Sequence, residues 1–208
     1  MNMDEKHILS ILIVVFCIYE PTSSTTSDTL PGPAYETYNV TKFMDTAEKI
    51  WTLNSTKNSS VWCRNDEVAI INGSKIYFNR SFMNRKGSWQ IQAYEGEILD
   101  FSRPKDLHDK KYEILFRYFM PYAMLVGPKG TEPSTLEELE YASDDYDCGV
   151  FRVIYNVDPK DILYSKWYDL RFRGSSVSKV TSKCTQYFQE RMKEEPMFDI
   201  YNDTCQSL

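Results

Sequence analysis

Histidine is almost missing from this chain of 208 residues, which has only His7 and His108. Neither lies near Cys63, Cys148, Cys184 or Cys205, and no C-x-x-C spacing occurs, which argues against a zinc site. G-x-S-x-G and H-E-x-x-H are absent too, so two common hydrolase signatures are excluded. His108 stands in the polar stretch RPKDLHDKK, and Asp144 with Asp145 in a solvated acidic run. Nothing here assembles a catalytic group, and a protein that is not an enzyme and carries no cofactor or metal is expected. A basic stripe is also lacking: 24 Lys and Arg stand against 30 Asp and Glu, a formal charge of -6. Nucleic acid is therefore not an expected partner. Apolar runs are short. The longest, Ile8–Tyr19, falls below what a bilayer span needs, no later run is better, and no apolar tail suggests a lipid anchor. Membrane insertion is not expected.

What is present points outward from the cell. MNMDEKHILSILIVVFCIYE followed by PTSSTTS has the order of a secretory signal peptide. Cleavage is expected between Pro21 and Ser27, giving a signal over residues 1–24, a polar flexible arm over 25–41 and one domain over 42–208. Cys17 would leave with the signal. Four cysteines remain, and an even number in a secreted chain reads as two disulfides with three possible pairings. Six N-x-S/T sequons, at Asn39, Asn54, Asn58, Asn72, Asn79 and Asn202, argue for a glycosylated surface.

Alternating patterns dominate from residue 48 onward. They predict strands over Glu48–Ser55, Val61–Ile71, Lys75–Phe82, Ser88–Ile98, Tyr112–Phe119, Tyr122–Gly127, Cys148–Tyr155 and Ile162–Phe172. Asn72–Gly73 is a hairpin signal, and Asn84–Gly87 marks a second turn. Lys42–Lys49 reads as a short helical turn. Gly127–Leu136 and Ala142–Asp147 read as loops, with a helical piece around LEELE. Strand periodicity puts Ile76, Phe78 and Phe82 on the face opposite Asn79, and Phe151 with Val153 opposite Cys148 and Val150.

One late helix is expected, because Val180, Cys184, Tyr187, Phe188 and Met192 form a single apolar stripe. Ser178 is its expected N-cap, and Pro196 suggests an end near Glu195. Eight strands and one flanking helix suit an all-β fold: an eight-stranded antiparallel barrel with the helix packed outside. A two-sheet sandwich is the alternative.

The chain resembles the tick salivary lipocalins, the broad group that includes the histamine-binding proteins. EKIWTL around Ile50–Leu53, SDDYDCGV around Cys148, YSKW at Tyr164–Trp167 and KCTQYFQERMKEEPMFDIYNDTC carry the resemblance, which extends from about Lys42 to Cys205. It implies Cys63–Cys205 and Cys148–Cys184 pairing. It also implies that a carboxylate would follow the seventh-strand cysteine, and that another would lie two residues before the eighth-strand tryptophan, if histamine were the ligand. Gly149 and Ser165 occupy those positions. An acid from Glu97, Asp100, Glu113 or Asp147 is the remaining route to amine binding.

A small hydrophobic ligand, a sterol or a fatty-acid-like lipid, is therefore preferred, as for the japanin-like, immunomodulatory members of the group. Candidate contacts are Trp51, Phe78, Trp89, Tyr118, Phe151 and Trp167, with Arg117 or Lys166 able to meet an acidic head. Each aromatic reads more often as core, and either cation more often as outer wall. Two alternatives stand beside this: sequestration of histamine or another amine, and an outer surface that binds a host immune-cell or plasma protein.

Overall fold

The computed structural model describes residues 38–99, 123–155 and 165–207. Its strands are β1 Ile50–Ser55, β2 Trp62–Asn72, β3 Lys75–Met83, β4 Trp89–Leu99, β5 Ala123–Pro128, β6 Thr135–Ala142, β7 Cys148–Tyr155 and β8 Ser165–Arg173. Each pairs antiparallel with the next, and β8 returns to pair with β1. The sheet is thus an up-and-down meander closed into an eight-stranded barrel, which removes the free edges a sandwich would keep. A two-residue strand, β9 Phe198–Asp199, joins β1 at Asn54 and Ser55, where β1 has parted from β2. Gly73 turns β2 into β3 at a φ of 62°, a conformation that glycine adopts without steric cost.

Helix α1, Val40–Met44, is capped by Asn39, whose side chain accepts the Lys42 amide. Val40, Phe43 and Met44 are sealed against Ile50, Leu139 and Phe151, so α1 fills one end of the barrel. Arg173 fastens it there, donating to the carbonyls of Phe43 and Lys42. Those are last-turn carbonyls that the helix itself leaves free, and a cation suits that end of the dipole. The packed part of the chain therefore starts before residue 42, within the expected arm. Helix α2, Ser182–Met192, lies outside, and its Cys184, Tyr187, Phe188 and Met192 join Val180 against Val150, Leu170 and Phe172. Thr181 is its N-cap rather than Ser178, because a separate turn at Val177–Lys179 intervenes. The helix stops at Met192, and Lys193 turns the chain away with a φ of 52°.

Disulfides join Cys63 to Cys205 and Cys148 to Cys184. The first ties the C-terminal tail to β2, and the second ties α2 to the start of β7.

One element differs in kind. LEELE is not helical but forms most of β6, between β5 and β7. Helix propensity gives way because the acids find fixed partners: Arg80 and Arg171 hold Glu137, and Arg152 holds Glu138. A bulge between Leu139 and Tyr141 then resets the alternation. The strand expected over Tyr112–Phe119 lies outside the described residues.

Candidate functional site

Closure of the sheet defines a lumen, and strand alternation decides what enters it. One face of β7 contributes Phe151 and Val153, and β8 contributes Trp167. These meet Ile76 and Phe78 of β3 and Met124 and Val126 of β5 in a single cluster. Residues from opposite walls can touch only through the interior.

The same interior holds six charged side chains in an alternating chain. Asp66 binds Arg80 through two bonds of 2.7 and 2.8 Å. Arg80 reaches Glu137 at 2.9 Å, and Glu137 accepts from Arg171 at 2.6 Å. Arg171 passes to Asp169 at 3.0 Å, and Asp169 accepts from Arg64 at 2.5 Å. Ser55 adds a hydroxyl to Asp169 at 2.7 Å, and Thr52 accepts from Arg64 at 3.1 Å. Three arginines balance three carboxylates, as buried charges require. Arg171 also lies over the Phe151 ring at 4.3 Å, and Arg80 over Phe78 at 5.3 Å.

Electrostatics follow from that order. Burial alone would raise the Glu137 carboxyl, but Arg171 and Arg80 hold it well below the usual carboxylate range. Asp169 behaves alike, with burial overcome by Arg64 and Arg171. Arg64, at the end of the chain, is lowered by burial more than Asp169 restores it.

The two faces of the network differ in access. The Arg64 and Arg80 side chains are 14% and 13% exposed, whereas Asp66, Glu137 and Asp169 are 4%, 0% and 1% exposed. On the side of the network away from α1, Gln92, which pairs with Arg80 and shares its lumenal face, is exposed. At that end Lys57, from the β1–β2 loop, lies over the Trp167 ring at 3.9 Å and near Tyr155 at 5.7 Å. Burial and then Arg64 lower its pKa. Among the described residues two buried lumenal donors, Trp167 Nε1 and Arg171 Nε, have no protein acceptor.

The sequence-level candidates divide. Phe78, Phe151 and Trp167 line the lumen. Trp51 faces outward, edge-on to Tyr201 at 5.3 Å, and Trp89 packs with the same outer cluster. Trp51 and Trp89 are therefore not lumenal, because their register puts them under the C-terminal tail and its neighbours. Lys166 is exposed and pairs with Ile154 on the outer wall. Arg117 and Tyr118 lie outside the described residues, as do Asp100 and Glu113.

Two of the acids named for an amine, Glu97 and Asp147, do not serve. Glu97 is exposed and pairs with Lys75 and Leu125 on the outer face, and Asp147 meets Lys179. Gly149 has no room for a side chain: a Cβ would stand 2.8 Å from Phe43, 2.9 Å from Leu139 and 3.0 Å from the Tyr141 carbonyl. Ser165 is exposed at the start of β8. The lumenal acids are instead Asp66, Glu137 and Asp169, which strand pattern alone did not single out. The signal for one of them, Asp169, was the D-L-R-F-R alternation of β8, read with its polar row inward. Among the described residues no group of histidine, cysteine and acid could hold a metal ion.

No family model matches the chain, and no curated protein matches it either. Solved structures do. A serotonin complex of AM182 is 14% identical with a TM-score of 0.50, over 81% of this chain and 92% of that one. Apocrustacyanin C1 is 10% identical with a TM-score of 0.50, over 82% and 86%. Japanin from Rhipicephalus appendiculatus, bound to cholesterol, is 11% identical with a TM-score of 0.46, over 77% and 96%. At such identities the likeness is one of architecture, a lipocalin-like barrel.

Proposed function

We propose that this chain is a secreted, non-catalytic lipocalin that binds one small amphipathic acid, of the fatty-acid class, at the open half of its barrel, and through it modulates a host's immune or inflammatory responses. The observation that carries the ligand class is the unequal access of the lumenal charges. A molecule entering from the open end meets the guanidiniums of Arg64 and Arg80 and the ammonium of Lys57, while the three carboxylates lie sealed behind them. Trp167, Val153 and Tyr155 offer the apolar wall that a hydrocarbon body needs.

A sterol has no charge to match these cations. A biogenic amine would bring a further cation to them, and every lumenal acid among the described residues already accepts from an arginine. Secretion rests on the apolar opening segment, the two disulfides and the six sequons.

Calorimetric titration of delipidated protein tests the reading. A long-chain fatty acid is expected to saturate near one per chain, with cholesterol and histamine weaker. Lys57→Met is expected to weaken the acid roughly tenfold, the order of one charge-assisted hydrogen bond. Histamine binding tighter than the fatty acid would overturn the assignment.

A further inference from the structure

We propose that an N-linked glycan on Asn79 is the cover of an apolar strip on the outer wall of β2, β3 and β4. The inference rests on the secretion reading above and is independent of the lumen.

Asn79 sits in the middle of β3, hydrogen-bonded into the sheet between β2 and β4. Its neighbours Phe78 and Arg80 point into the lumen, so its own side chain points out, and it is exposed. Opposite it on β4 is Ala93, also exposed. One pair further along the same face stands Ile91, opposite Ser81 and 70% exposed. One pair in the other direction stands Ile70, opposite Tyr77 and 56% exposed. Among the described residues these are the two most exposed large aliphatic side chains, and they flank the sequon on both sides. Same-face neighbours in adjacent pairs lie within about 7–8 Å, inside the reach of a bulky sugar.

The amide of Asn79 is free to carry it. Asn39 caps α1, Asn54 donates to Asp199 at 2.7 Å, and Asn202 accepts from Thr204. Among the described residues Asn79 has no such side-chain bond. On this face Glu67 stands opposite Asn79 and Glu95 opposite Tyr77, so the strip is the isoleucine pair Ile70 and Ile91, an association hazard when bare. A solubilising sugar at its centre removes that hazard, and the sequon is where the strip is.

The test uses protein secreted from eukaryotic cells, as wild type, Asn79→Gln and Asn58→Gln. Glycopeptide mass spectrometry reads occupancy, dye fluorescence with anilinonaphthalene sulfonate reads apolar exposure, and sedimentation velocity reads self-association. Asn79 is expected to be occupied. Asn79→Gln should raise dye fluorescence several-fold and shift the protein toward oligomers, whereas Asn58→Gln, on the β1–β2 loop, should do neither. Adding Ile70→Thr and Ile91→Thr to Asn79→Gln should reverse both changes. Fatty-acid binding should be the same in all. An unglycosylated Asn79 beside occupied neighbours would overturn the cover alone, as would an Asn79→Gln variant no stickier than Asn58→Gln. Glycans missing from every sequon would overturn the secretion reading and the cover with it.

Discussion

Arg80 on β3 and Glu137 on β6 meet across the lumen, Nη1 to Oε1 at 2.9 Å. Their strands are separated by β4 and β5 along the sheet, so the bond crosses the barrel instead of following its wall. It fixes register in a way that apolar packing does not. A one-residue slip of β6 would turn Glu137 outward and leave two guanidiniums buried without their shared acid.

Glu137→Gln should therefore destabilise the fold strongly. Removing one partner from a buried ion pair typically costs about 3–5 kcal/mol, and here two arginines lose their common carboxylate. Urea denaturation should show a lower midpoint with an unchanged slope. A variant as stable as wild type would mean that the network contributes nothing to the fold.

The acid limb of stability has a defined sign. Glu137 and Asp169 have pKa values below the ordinary carboxylate range in the folded state, with burial outweighed by their arginines. Their contribution is present in full above about pH 5 and is lost as pH falls below about 4 toward the folded values. Tm should be level from about pH 7 to 5 and fall steeply below. In Glu137→Gln the curve should start lower and fall less. An equal slope in both proteins would assign the acid limb to other groups.

Gly149 cannot be converted into an amine-binding acid. Gly149→Ala already forces contacts with Phe43, Leu139 and the Tyr141 carbonyl, at a cost of about 1–3 kcal/mol for overpacking. Gly149→Asp should be less stable again and should gain no histamine affinity by calorimetry. A stable Gly149→Asp protein that binds histamine would show that α1 can move out of the barrel end.

Replacing Cys148 and Cys184 together by alanine should cost about 2–4 kcal/mol. The loss should be local first, since the bridge holds α2 to the start of β7. Hydrogen exchange should quicken across Ser182–Met192 before it does in β3 or β4. Uniform quickening would mean that helix and barrel open as one unit.

Much of the barrel was legible because closed meanders have a local code. Period-two alternation marked seven of the eight barrel strands, Asn72–Gly73 marked a hairpin, and the stripe through Cys184 and Phe188 marked an outer helix. These depend on neighbours a few residues apart, and the chain carries that information in its order. β6 was not legible. LEELE has helical propensity, and it becomes a strand because arginines from β3, β7 and β8 take up its acids.

The charged row of the lumen was not legible for the same reason. In β8 the row Tyr168, Leu170, Phe172 alternates with Trp167, Asp169, Arg171 and Arg173. Alternation fixes two faces but does not say which is inside, and the usual assignment puts charge toward water. Here α2 and the tail cover the apolar row from outside, so the charged row faces the lumen. It can remain there because Arg64, Asp66, Arg80 and Glu137 arrive from other strands to complete it. The sequence determined that two faces exist and which residues share each. Only the tertiary structure decided which face is inside, because burying a charge depends on partners that lie far away along the chain.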